Sequence, residues 1–169
     1  MSDLRRKWRD PAVLVCCGFG SGFLPKAPGT WGSLAALVVW WWLLAPLTWW
    51  AQLIVALATF VLGTWLVDRV VRRYGVGDAP AIVVDEFAGL WITLIGAGAE
   101  PVSALLGFIA FRFFDVLKPW PIKVADARVK GGFGVMLDDA IAGVFALVLL
   151  QISLQIVPQI SFFGFAERL

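Results

Sequence analysis

The chain has 169 residues, of which 60% are hydrophobic and only 15% charged, with ten Trp and thirteen Phe. Its mean hydropathy of +0.85 is more apolar surface than so short a chain hides in a water-soluble fold, which excludes a disordered chain, a coiled coil or a secreted disulfide scaffold and predicts an all-α, polytopic membrane helical bundle. The net charge of +2 leaves no footprint for nucleic acid, the absence of His removes His-dependent catalysis, and the two adjacent cysteines, Cys16 and Cys17, do not make a zinc site or a disulfide framework.

The basic stretch Leu4 to Asp10 holds Arg5, Arg6, Lys7 and Arg9. It reads as a retained cytoplasmic segment on the membrane surface, because the stretch after it, Pro11 to Gly22, is short, broken by three glycines and followed by no cleavage site. Gly18 to Ser33 carries five Gly and two Pro in sixteen residues and reads as a structured loop. Its backbone N–H groups, Lys26, and a helix N-terminus capped by Thr30 or Ser33 make an anion site. The Walker A spacing is absent, and a plain turn explains the same loop.

Five hydrophobic runs follow: Ser33 to Leu47, Trp49 to Val67, Ile82 to Ala99, Val102 to Leu117 and Phe133 to Val157. Tight turns at Pro46-Leu47-Thr48 and Glu100-Pro101 join them in pairs. About 20 apolar residues cross a bilayer, so the second and fifth runs qualify. The third has only thirteen consecutive uncharged residues, Phe87 to Ala99, and with the fourth it could form a hairpin packed inside the others. The expectation is five helices at membrane depth, with four true spans as the alternative. In one domain, residues 1–32 form the basic segment and phosphate loop, 33–157 the bundle and 158–169 a short tail. Threaded in–out–in–out–in–out, thirteen of the fourteen basic residues fall on one side, and only Arg168 lies opposite. The positive-inside rule makes that side the cytoplasm and places the N-terminus there.

The same threading gathers polar residues at one face. Thr30 and Ser33 open the first helix, Asp68 ends the second, Asp85 and Glu86 open the third, Arg112, Asp115 and Lys118 end the fourth, and Asp138 and Asp139 open the fifth. Ionisable groups in membrane helices face the interior or a wet cavity. The plainer alternative is that the acids complement helix N-termini. Each acid pair reaches a glycine, Gly89 or Gly143, about one turn later, and a small residue there lets another backbone approach. Asp85, Glu86, Asp138 and Asp139 then form a plausible oxygen cage for Mg²⁺. Arg112, Asp115 and Lys118 line one side of a helix, where Arg112 and Asp115 form a salt bridge or, with Lys118, Arg112 neutralises phosphate.

Four strings, LPKAPGTWGS (Leu24 to Ser33), VVDEFAG (Val83 to Gly89), FRFFDVLKPWPI (Phe111 to Ile122) and GGFGVMLDDAIAG (Gly131 to Gly143), resemble in order and spacing the motifs of bacterial phosphatidylglycerophosphatase A. The resemblance implies a helical bundle with a central helix surrounded by others. It also implies an Mg²⁺-dependent phosphatase of the bacterial inner membrane that converts phosphatidylglycerophosphate to phosphatidylglycerol. On that reading Asp85, Glu86, Asp138 and Asp139 hold Mg²⁺ with Asp115 beside them. Lys26, Arg112 and Lys118 stabilise the transferring phosphoryl group, and Thr30 or Ser33 binds phosphate or orients water. Direct attack by water and an aspartyl-phosphate intermediate both remain open.

Two other readings compete. Asp126-Ala127-Arg128 with Gly131, Asp138 and Asp139 distantly echoes the CDP-alcohol phosphotransferases, but the acid spacing differs. A small cation or proton transporter would need polar groups through the full membrane depth, and the outer halves of the helices hold almost none, with Gln52 a rare exception.

Overall fold

Among the described residues every regular element is helical, as runs of apolar residues without strand-like alternation predict. In the computed structural model the residues described are 3–77 and 79–166. A 3₁₀ turn, Asp3–Lys7, leads into α1, Pro11–Cys16. Asp10 caps α1 by accepting a hydrogen bond from the Ala12 N–H at 2.9 Å. The same carboxylate accepts from Tyr74 Oη at 2.7 Å and pairs with Arg73 at 3.0 Å. Leu4 is fully buried, in a cluster with Val13, Cys16, Cys17 and Val70. The basic segment is therefore anchored to the fold through Leu4 and Asp10, while Arg5, Arg6, Lys7 and Arg9 stay exposed.

The expected loop from Gly18 to Ser33 is shorter than the sequence suggested. A 3₁₀ turn occupies Gly18–Phe23, and α2 begins at Pro28 and runs to Val39. Thr30 and Ser33 lie inside α2 and do not cap it. The N-cap is Ala27 in the left-handed region, with no side-chain cap, and Ser33 Oγ donates back to the Gly29 carbonyl at 2.9 Å. Pro28 explains the early start, since proline suits the first helical position. α2 widens into a π-helical turn, Trp40–Leu44, before the expected hairpin turn.

The second run gives α3, Trp49–Tyr74, whose 26 residues extend about 39 Å. The third gives only α4, Val84–Thr93, ten residues or about 15 Å, half the thickness of a hydrocarbon core. Of its residues only Asp85 is not buried, and it packs against α2, α3, α5 and α7. It is the central helix. α5, Pro101–Leu117, ends at Lys118 with φ 42, and a short α6, Ile122–Arg128, follows.

α7, Gly131–Ala166, starts before Phe133 and continues past Val157. The early start has a physical cause: the Gly132 N–H, one of the first-turn donors that a helix cannot satisfy itself, donates to Asp68 Oδ1 at 2.6 Å. Residues expected to be a tail are thus helical up to Ala166, while Arg168 falls outside the described residues.

α4 and α7 cross at close range. A Cβ on Gly143 would lie 2.4 Å from the Gly89 carbonyl oxygen, and one on Gly89 would lie 2.7 Å from that of Asp139. The two glycines singled out in the sequence face each other. Thr93 Oγ1 closes the seam, donating to the carbonyls of Gly89 and Gly143 at 3.0 and 3.3 Å.

Contacts define two ends. At one, Arg112 of α5 reaches Thr30 of α2, Asp68 of α3 reaches Gly132 of α7 and Lys118 reaches Asp138. At the other, buried Gln52 of α3 donates to the carbonyls of Leu44 and Leu47 at 3.1 Å and accepts from the Gly96 N–H at 2.9 Å. Gln151 of α7 donates to the Ile95 carbonyl there. Successive long helices run in opposite directions between these ends. Among the described residues two helices, Trp49–Tyr74 and Gly131–Ile156, are long and apolar enough to cross a membrane. That is fewer than the five expected at membrane depth.

Candidate active site

The α4–α7 crossing sets the site. Asp85 and Glu86 stand in the first turn of α4, while Asp138 and Asp139 stand two turns into α7, because that helix begins at Gly131. The expectation that the second pair opens its helix is corrected accordingly, and the N-terminal dipole of α7 falls off before reaching them. The glycine contact lets the backbones approach so closely that oxygens of Asp85, Glu86 and Asp139 all lie within 4.8 Å of one another.

These groups are enclosed. Glu86, Asp138 and Asp139 are 8%, 6% and 4% exposed. Glu86 Oε2, Asp138 Oδ1 and Asp139 Oδ2 are buried with no hydrogen-bond partner. Unpaired carboxylates crowded in a low dielectric repel one another and forfeit hydration. An all-oxygen set with free lone pairs is the donor chemistry of a hard divalent cation, so the cluster can hold a metal ion.

Cationic side chains flank the acids. Lys118 Nζ bridges Asp138 Oδ2 at 2.5 Å and Asp126 Oδ1 at 2.8 Å. Burial works against its charge, but the hydrogen bonds to the two aspartates outweigh that and raise its pKa above the usual lysine value. Its left-handed backbone turns the chain at the end of α5. Arg112 forms an ion pair with Asp115, one turn away, and donates to Ser33 Oγ and Thr30 Oγ1, each at 3.4 Å. Gly29 is packed against Glu86 and Arg112: a Cβ there would fall 2.3 Å from Glu86 Oε1 and 3.3 Å from Arg112 Nη1.

A pocket of about 210 Å³ collects Asp85, Glu86, Asp115, Lys118, Asp138 and Asp139, walled by Pro28, Gly29 and Pro80 among others. All five acids expected in the site thus line one pocket. Asp138 stands apart from the tight three-oxygen group, with Lys118 on one of its oxygens. Thr30 and Ser33 touch Arg112 and do not line the pocket. Lys26 lines a neighbouring cavity instead. Asp68, grouped with the acids by sequence, caps α7 and pairs with Arg72 at 3.4 Å. Gly29 was not singled out in the sequence, and Asp126 entered only through the distant phosphotransferase echo. Gly29 lies in the Leu24 to Ser33 string but has no side chain to suggest a role, and nothing in the spacing links Asp126 to Lys118.

The family model described as Phosphatidylglycerophosphatase A matches residues 14–154. Phosphatidylglycerophosphatase A of Escherichia coli strain K12 is 41% identical over 147 residues, covering 86% of this chain and 85% of that protein. The Haemophilus influenzae protein of the same name is 40% identical over 142 residues, covering 83% and 87%. A Bacteroides thetaiotaomicron protein, provisionally named a phosphatidylinositol-3-phosphatase, is 38% identical over 152 residues, covering 83% and 92%. No solved structure matches the chain significantly. The match extends across all four strings, among which lie the acids of the pocket, and the chain belongs to the phosphatidylglycerophosphatase A family of phosphatases.

Proposed function

We propose that the protein hydrolyses the terminal phosphomonoester of phosphatidylglycerophosphate to phosphatidylglycerol and inorganic phosphate, with Mg²⁺ as its cofactor. The last step in making that lipid is then its role. The observation that carries the reading is the convergence of Asp85, Glu86 and Asp139 within 4.8 Å, with buried unpartnered oxygens on Glu86 and Asp139, in a chain of this family.

Asp85, Glu86 and Asp139 hold the ion, and Asp138 offers its free oxygen beside them. When bound, Mg²⁺ supplies Lewis-acid polarisation of the phosphomonoester and makes nearby water more acidic. Arg112 and Lys118 offer positive charge to the phosphoryl oxygens, where most catalysis of phosphoryl transfer arises. Thr30 and Ser33 act by fixing the Arg112 guanidinium, with Asp115 as its counter-charge.

The protein is a multi-pass protein of the bacterial cytoplasmic membrane, one domain in which the N-terminal segment shares the bundle's packing. α2 with its π turn, α3, α5 and α7 cross the bilayer, and α4 is enclosed among them. The outward faces support this. Trp42, Ile54, Val61, Trp65, Ile109, Phe113 and Val148 are all exposed, and such surface suits lipid. The N-terminus and the acidic pocket lie on the cytoplasmic side, with Arg69, Arg72 and Arg73 at that end.

The test is phosphate release from phosphatidylglycerophosphate by the purified protein, with and without Mg²⁺. Release that stops on chelation and returns with Mg²⁺ supports the reading. Release indifferent to chelation removes the metal from it. Hydrolysis of phosphatidylinositol 3-phosphate alone transfers the substrate to the one in the name of the third relative.

A further inference from the structure

A second cavity, of about 300 Å³, adjoins the acidic pocket; Pro28 and Pro80 line both. Its chemistry is the opposite. It presents two cations, Arg5 and Lys26, beside apolar Phe23 and Leu24, and no carboxylate. Among the described residues neither cation takes part in an ion pair.

Both cations are held by their backbones. Arg5 follows Leu4, which is fully buried. Lys26 and Ala27 are consecutive left-handed residues, φ 58 and φ 50, and such a conformation costs energy in non-glycine residues, so it persists only where the surroundings fix it. The strained pair turns the chain sharply between the 3₁₀ turn and α2.

The lipid assigned above carries two phosphates. One is the terminal monoester; the other is the diester that joins the same glycerol to diacylglycerol. An acidic pocket that holds a cation suits the first. A basic cavity with apolar walls suits a single negative charge next to acylated glycerol. We propose that Arg5 and Lys26 form a subsite for the bridging phosphodiester, the phosphate that does not react, and so select lipids that carry both groups. This rests on the substrate reading above. It moves Lys26 away from the transferred phosphoryl group and gives the basic N-terminus a role in recognition.

The two placements of Lys26 have different kinetic signatures. A contact made equally in ground and transition states appears in KM, whereas one made to the transferring group appears in kcat. The experiment compares full-length wild type with the double variant R5Q/K26Q in mixed micelles. The subsite predicts that KM for phosphatidylglycerophosphate rises about tenfold or more, the loss of charge-assisted hydrogen bonds, with a much smaller change in kcat. Inhibition by phosphatidylglycerol, which keeps the diester, weakens by the same factor. Inhibition by inorganic phosphate, which reports the acidic pocket, keeps its wild-type strength, and R5K/K26R restores KM. The subsite is overturned if KM and phosphatidylglycerol inhibition stay at wild-type values, if only kcat falls, or if inorganic phosphate weakens in parallel. Should wild type release no phosphate from phosphatidylglycerophosphate, the substrate reading fails. Direct binding of phosphatidylglycerol then decides the subsite: weaker binding to R5Q/K26Q supports it, and equal binding overturns it.

Discussion

Asp139 sits among other carboxylates, nearly sealed from water, a position that is tolerable only while positive charge shares its field. Asp115 has Arg112 and Asp138 has Lys118 for this purpose. Among the described residues Asp139 takes part in no ion pair, and one of its oxygens has no partner. Asp139→Asn keeps the volume and removes the charge. It should bring phosphate release down to background while the protein still inserts and unfolds like wild type, as checked by activity and melting temperature side by side. If the variant still turned over at a wild-type rate, Asp139 would leave the metal set. The acids were legible in the sequence because charge inside apolar runs is conspicuous. Their partners were not: that Ser33 and Thr30 serve Arg112, or that Lys118 also binds Asp126, follows from side chains meeting across helices, and spacing along one chain does not encode that.

The helices show a similar division. Hydropathy marked the positions of α3, α5 and α7, and the glycine after each acid pair marked the α4–α7 crossing. Gly143→Ala would drive a methyl group against the Gly89 carbonyl. Backbone cannot yield as a flexible side chain does, so the substitution should destabilise the protein by about 1–3 kcal/mol and lower activity with it, as measured by thermal unfolding and phosphate release. Gln52 ties the π-turned end of α2 to the loop after α4. Gln52→Leu leaves the buried Leu44 carbonyl without its donor and the Gly96 N–H without its acceptor, a loss of about 1–3 kcal/mol, seen as a lower melting temperature with kcat little changed. What hydropathy did not show was length. The run Ile82 to Ala99 looked like a marginal span, and only the packing reveals that ten residues of it are helical and enclosed. The start of α7 was misjudged for a comparable reason, since its cap comes from Asp68 on another helix.

Among the described residues the ion pairs gather at one end of the molecule, and exposed apolar side chains cover the sides. The N-terminal segment is fastened there by Asp10, whose pKa is held below the usual carboxylate value by the Tyr74 hydroxyl, then by the Ala12 N–H and by Arg73. A lowered folded-state pKa contributes stability that is complete above the unfolded value, 3.8, and is lost as pH falls through the folded one. Wild type should therefore exceed Asp10→Ala in stability at neutral pH, and the difference should vanish in strong acid. Limited proteolysis of the N-terminus of both proteins across that range would show it. Two of the site's carboxylates ride on α4, the helix that α2, α3, α5 and α7 all touch. No peripheral lid or loop carries them, so these two acids have no way to melt ahead of their scaffold. Heating should extinguish turnover and global structure in one cooperative step, at a single temperature.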